Sequence, residues 1–144
     1  MNSNQPDRRA AKDRGQPESF RARSLAASLT VNDLQASLAW YCDVVGFTVG
    51  KQHERDGAVR AVELKAGVVR LLIGQDDFAK GKDRVKGAGF SLQFTTAQAI
   101  DDVAMRVKDA GGTLLSEPMD MPWGARVFRV KDPDGFILVI SSEA

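Results

Sequence analysis

The feature that most constrains the fold is an internal repeat. Asn32-Asp33-Leu34-Gln35-Ala36 has a counterpart in Thr95-Thr96-Ala97-Gln98-Ala99, 63 residues on, and Gly67-Val68-Val69 has one in Gly135-Phe136-Ile137, 68 residues on. Two copies of one supersecondary unit account for offsets this similar. Whatever the unit is, the chain must pack it twice.

The unit can be read from periodicity. In the first copy, Ser24 to Val31 alternates, with Leu25, Ala27, Leu29 and Val31 on one side, as a half-buried strand does. Asn32 then offers a helix N-cap, with Gln35 placed to reach back as in a capping box. Leu34, Leu38, Tyr41 and Val45 follow at helical spacing, and Gly46 stops the helix. Phe47 to about Glu54 reads as a strand and Asp56-Gly57 as a turn. Ala58–Lys65 and Val68–Ile73 form a hairpin across Ala66-Gly67.

The second copy repeats the order. Phe90, Leu92 and Phe94 alternate with Gly89, Ser91 and Gln93; Thr95 and Gln98 repeat the cap pattern; Ile100, Val103, Ala104 and Val107 form the helical stripe before Gly111-Gly112. A strand starts at Thr113, and two further β-type runs flank Asp132-Pro133-Asp134-Gly135, where proline pre-sets a turn dihedral and glycine accepts a positive φ. Each copy is therefore β-α-β-β-β, and the expected fold class is α+β: two tandem βαβββ modules, residues 24–74 and 88–142, with a polar connector over 75–87. One helix can cover only one face of its sheet. The other face must meet its counterpart, a partner chain or a cavity.

Composition narrows the function. At 144 residues the chain can bury about 68% of its unfolded surface, enough for a core without staples. The 23 leading residues are polar and Arg-rich, with too few apolar groups to offset the entropy of ordering, and are expected to be a flexible tail. Residues 1–24 hold six Lys/Arg against three acidic residues, so the other 120 carry 14 basic and 16 acidic groups. A net charge of −2 gives that part no basic footprint for nucleic acid. No apolar run approaches the roughly 18 residues of a membrane span, and the single cysteine, Cys42, cannot form an internal disulfide. The expectation is a cytoplasmic protein with Cys42 as a core filler, binding neither nucleic acid nor membrane.

The motifs together resemble a known family. Thr30-Val31-Asn32-Asp33-Leu34, Leu38-Ala39-Trp40-Tyr41 followed by Asp43-Val44-Val45-Gly46-Phe47, Asp109-Ala110-Gly111-Gly112 and Asp132-Pro133-Asp134-Gly135 look like the vicinal oxygen chelate superfamily. Its members include glyoxalase I, extradiol dioxygenases, fosfomycin-modifying enzymes and bleomycin-resistance binding proteins. The resemblance runs from Ser24 to the C-terminus and implies paired modules whose mixed sheets curl around a cup. It also implies a homodimer, since such modules often pair across chains. In the metalloenzymes of the superfamily the cup holds a divalent metal at four inward strand positions, matched here by Ala26, Arg70, Gly89 and Val139. None of these is a metal ligand. The sole histidine, His53, lies near a predicted turn, and only Glu63 among the carboxylates is placed to face the cup.

Strict alternation away from the helix-covered face selects the cup lining: Ala26, Ser28, Thr30, Val68, Arg70, Leu72, Gly89, Ser91, Gln93, Ile137 and Val139. That is an apolar surface with a few hydrogen-bonding groups, suited to a small molecule. Arg70 is the candidate anchor for an anionic group, and its alternative is an ion pair with Glu63. Trp123, in a loop with Met119, Met121 and Pro122, is a candidate aromatic lid, and its alternative is packing at the hairpin base. Ser28, Leu72, Ser91, Gln93, Val139 and Arg126 complete the candidate ligand-binding set. No catalytic, metal-ligating or cofactor-binding residue is expected. Three functions are open: a metal-free binder that sequesters an apolar or anionic compound; a metal-dependent lyase, isomerase or dioxygenase; and an interaction module whose cup is filled by its own side chains.

Overall fold

A computed structural model of the chain describes residues 19–144, and the expected tail lies outside the described residues up to position 18. Strands β1 (Ala27–Val31), β2 (Thr48–Arg55), β3 (Ala58–Ala66) and β4 (Val69–Gln75) form one sheet in the order β1-β4-β3-β2. Strands β5 (Ser91–Thr96), β6 (Leu114–Asp120), β7 (Arg126–Lys131) and β8 (Ile137–Ser142) form the other in the order β5-β8-β7-β6. The first strand of each sheet runs parallel to the last, and the remaining pairs are antiparallel. The fold is α+β, with two open mixed sheets and few helices.

Each sheet buries the face that its alternation marks. Leu29 and Val31 of β1, Val62 and Leu64 of β3, and Leu71 and Ile73 of β4 are all nearly inaccessible, as are Phe128, Val130, Leu138 and Ile140 of the second sheet. These side chains belong to one continuous cluster with the helical residues Leu34, Tyr41, Ile100, Val103 and Val107. The two modules thus share a core through their helix-covered faces. Phe47 meets Phe94 edge-on across it, with ring centroids 5.9 Å apart. Gly112 is required by the same closeness: a Cβ there would stand 2.6 Å from Val44 Cγ1 and 2.7 Å from Val107 Cγ1.

The first helix starts one residue later than expected and ends, as expected, at Gly46. Asp33, not Asn32, is the N-cap of α1 (Leu34–Ala39), its carboxylate accepting from the Ala36 N–H at 3.1 Å, and Gln35 takes no part. Asn32 is drawn away by tertiary partners: its N–H donates to Asp134 Oδ1 and its side chain accepts from Lys86. From Trp40 to Val45 the helix widens into a π turn before Gly46 ends it in the left-handed region. Helix α2 (Ile100–Asp109) starts behind Ala99 with no side-chain cap, and Thr96 instead accepts from the Gln98 N–H. Asp101 and Asp102 in its first turn and Arg106 and Lys108 in its last complement its dipole.

Other boundaries move by a few residues. Leu25, expected on the buried face of β1, precedes the strand and is 93% exposed. Ala26 and Gly89 also lie outside the strands, and Val68 sits in the β3–β4 turn, fully exposed. The closing hairpin is as expected: Gly135 takes φ +103°, its N–H donating to the Asp132 carbonyl at 3.1 Å.

That turn is also a joint between modules. Tyr41, buried in the first helix, donates its hydroxyl to Asp132 Oδ2 at 2.7 Å, while Asp132 Oδ1 accepts from the Phe136 and Asp134 N–H groups. Burial drives the Asp132 pKa above the ordinary carboxylate value despite these bonds, and burial with the adjacent Asp132 holds the Tyr41 phenol protonated. Cys42 is half-buried against the core, its thiol pushed up by burial and then by Asp43.

Candidate functional site

Since the helices occupy the space between the two sheets, the faces expected to line a cup point outward. On the first sheet, Ser28 and Thr30 of β1 lie beside Leu72 and Gly74 of β4, and these beside Glu63 and Ala61 of β3. Ser28, Thr30 and Arg70 are exposed, and Leu72 is half-buried. The Arg70 guanidinium reaches Glu63 Oε2 at 3.5 Å, which is the pairing weighed above as the alternative to a ligand anchor. Its side chain remains 62% exposed, so the pair contributes at most about 1 kcal/mol and leaves the guanidinium free to exchange Glu63 for another anion. Room for this arrangement comes from Gly50, where a Cβ would fall 2.9 Å from both Glu63 Oε1 and Lys65 Cε. His53 lies near the end of β2, close to the Asp56-Gly57 turn as expected. It pairs with Ala61 and is exposed.

The outward face of the second sheet is different. Ser91 and Gln93 of β5 are exposed and pair with Ile137 and Val139 of β8. Val139, however, is buried in a satellite cluster with Ala125 and Val127, against which Met121 and Ile137 pack. This cluster is made by the β6–β7 turn, where the Met121 N–H donates to the Ala125 carbonyl and the Gly124 N–H to the Met121 carbonyl. Trp123 stands at the tip of that turn, 65% exposed, with Met119 exposed on β6. It does not pack the hairpin base.

Arg126 is the candidate that the structure takes out of this face. It shares the helix side of β7 with Phe128, and its guanidinium donates to Asp101 Oδ1 of α2 at 2.9 Å and to Asp120 Oδ1 of β6 at 3.0 Å. Those two bonds raise its pKa further. The alternation that turns Arg126 inward turns Arg129 outward, where it pairs with Val139 in the row that also contains Gln93. Arg129 makes no ion pair among the described residues. The sequence reading missed it, and the signal was available, since Val127, Arg129 and Lys131 are the positions that alternate with the buried Phe128 and Val130.

The superfamily's divalent metal does not fit this chain. Of its four inward positions, Arg70 repels a cation, Val139 is a buried hydrocarbon, and Ala26 and Gly89 carry no donor. The strand residues beside them add Ser28, Ser91, Gln93 and a single carboxylate, Glu63, already paired with Arg70, which falls short of the roughly three imidazole, thiolate or carboxylate ligands a catalytic metal needs. Among the described residues no three His, Cys, Asp or Glu side chains are grouped to hold a metal ion. No helix among these residues is long and apolar enough to cross a membrane. A groove of about 390 Å³ runs between the modules, lined by Phe47, Ala66–Val69, Phe94, Leu138 and Ile140. It takes Val68 away from the expected cup lining.

Comparison with known proteins agrees with the repeat and topology. The family model described as the Glyoxalase/Bleomycin resistance protein/Dioxygenase superfamily matches residues 23–140. Among solved structures, a member of the same superfamily from Sphaerobacter thermophilus is 24% identical with a TM-score of 0.69, over 85% of this chain and 98% of that one. A virulence protein from Salmonella typhimurium is 23% identical with a TM-score of 0.67, over 88% of this chain and all of that one. TioX from Micromonospora sp. ML1 is 21% identical with a TM-score of 0.64, over 85% and 97%. Among curated proteins no sequence matches.

Proposed function

The chain belongs to the Glyoxalase/Bleomycin resistance protein/Dioxygenase superfamily, and within it we propose a metal-free binding protein that sequesters a small apolar or anionic molecule in a cup completed by a second copy of the chain. The observation that carries this reading is that both prospective cup faces point away from the shared core, with Arg70, Ser28, Ser91 and Gln93 accessible and no metal-binding donors at the inward positions. A sheet face with Ser28, Leu72 and Arg70 on one module, and Gln93, Arg129 and an apolar cluster on the other, supplies hydrocarbon contact plus two cations for an anionic group. Docking two copies so that the first sheet of one faces the second sheet of the other makes two equivalent cups by a two-fold axis. Trp123 then sits at the rim as an aromatic lid.

We place its action in the cytoplasm, where its single, half-buried thiol would stay reduced. Sequestration requires no chemical step. The ligand's carboxylate or phosphate displaces Glu63 from Arg70, and its apolar body covers Leu72 and the Ile137 edge of the satellite cluster.

Sedimentation equilibrium at micromolar concentration, with elemental analysis of the purified protein, tests both halves. A dimer with less than about a tenth of a divalent metal per chain is the expected result. A monomer at that concentration ends the shared-cup reading, and one tightly held metal per chain ends the metal-free one.

A further inference from the structure

At the end of the first sheet remote from Arg70 lies a second, polar recess of about 740 Å³, lined by Thr30, Arg55, Arg60, Lys80 and Arg84 together with Asp56, Asp76 and Asp77. We propose that this recess is an anion site for a phosphate-bearing small molecule, separate from the Arg70 end of the cup face, with Thr30 bordering both.

The backbone presents the cations. Val59 and Ala61 of β3 pair with Glu54 and His53, which are consecutive in β2, so Arg60 is the extra residue of a β-bulge. A bulge removes its residue from the ladder and re-aims the side chain. Arg55 comes from the same hairpin, one residue before Asp56, a non-glycine residue held at φ +54°. Lys80 and Arg84 come from the connector on the opposite wall.

The carboxylates neutralise them only in part. Asp76, only 7% exposed, already accepts from Lys86 Nζ at 2.7 Å and from the Phe78 N–H at 2.8 Å, with Arg84 a further 3.6 Å away. These bonds, the Lys86 one first, hold its pKa below the ordinary value. Asp77 accepts from the Ala79 N–H. Among the described residues Arg55, Arg60 and Lys80 make no ion pair. Counting Lys86 behind Asp76, five cations face three carboxylates. Arginine's planar fork matches phosphate oxygens two at a time, and the exposed Thr30 can add a hydroxyl donor.

The test is a ¹H–¹⁵N NMR titration of the full chain with inorganic pyrophosphate, ionic strength held constant with sodium chloride. Saturable shifts at Thr30, Arg60, Asp77 and Ala79 are expected, with affinity reduced at least about tenfold by Arg60→Gln and by Lys80→Ala, as loss of a charge-assisted hydrogen bond implies, and unchanged by Arg106→Ala on α2. Both substituted residues are exposed, and the rest of each variant's spectrum reports that it is folded. Shifts that never saturate, shifts equally strong around Arg106 and Lys108, or affinity indifferent to Arg60→Gln and Lys80→Ala would each overturn the assignment.

Discussion

The two modules have one topology and two characters. Both sheets place their first strand parallel to their last, both have register shifts where the edge strand meets its neighbour, and both bury the helix side of their two central strands. Their outward faces diverge. The first has Arg70, Glu63, Lys65, Ser28 and Thr30, whereas the second closes Val139, Val127 and Ala125 into a small hydrocarbon cluster under the turn that bears Trp123. Packing holds the helix side constant because the same interior must be filled twice. The outward side has no such constraint, and there one module presents charge and the other an apolar cluster.

The sharpest way to break this picture is through the shared core. Phe128→Ala should lower stability by about 3–5 kcal/mol and Leu64→Ala by about 2–5 kcal/mol, since both side chains are wholly buried. Urea unfolding followed by far-UV circular dichroism and tryptophan fluorescence should show one coincident transition for each variant. Separate transitions would mean that the modules fold as two bodies.

Tyr41→Phe removes the hydroxyl that joins the first helix to the closing turn, leaving Asp132 Oδ2 buried without its donor. A loss of about 1–3 kcal/mol is expected by the same measurement, and a neutral result would remove this bond from the joint. The two equivalent turn glycines should differ. Gly67→Ala, at φ +57° with open space around it, should cost about 1 kcal/mol. Gly135→Ala should cost more, because φ is +103° and the new Cβ would stand 3.1 Å from the Lys86 carbonyl oxygen.

Acidification should separate two buried carboxylates, Asp76 of the connector and Asp132 of the closing turn, by sign. Asp76 has a lowered pKa, so its contribution is present above the ordinary carboxylate value of about 3.9 and is lost as pH falls through the lowered one. Asp132 has a raised pKa, so its contribution is greatest below that ordinary value and is lost as pH rises through the raised one. Urea midpoints between about pH 3 and 7 should therefore show Asp76→Asn most harmful at neutral pH and Asp132→Asn most harmful in acid. Parallel profiles would refute the opposition. The smallest effect belongs to Arg70→Ala, which should change stability by less than about 1 kcal/mol while weakening any carboxylate ligand found by screening. A large stability loss would make Arg70 a structural residue.

Much of the fold was legible in the chain, for a physical reason. Alternation at Leu29/Val31, Leu71/Ile73 and Leu138/Ile140, and helical spacing at Ile100, Val103 and Val107, record which side of each element leaves water. Local signals that tertiary contacts can outbid were less dependable. Asn32 had the chemistry of an N-cap, but Asp134 and Lys86 compete for it, and Asp33 caps the helix instead. In the candidate site, the outward positions of Arg70, Ser91 and Gln93 follow from alternation alone. The inward turn of Arg126 toward Asp101, the outward Arg129, and the bulge at Arg60 required the registers of three strand pairs.

The sequence by itself determined the repeat and the α+β class, because these depend on residue identity and local period, and through its family resemblance it implied non-ligand side chains at the superfamily's metal positions. Only the tertiary structure decided that the helices lie between the sheets and leave both prospective cup faces outward. Which faces of two amphipathic modules meet is set by how their volumes pack, and no single strand carries that information.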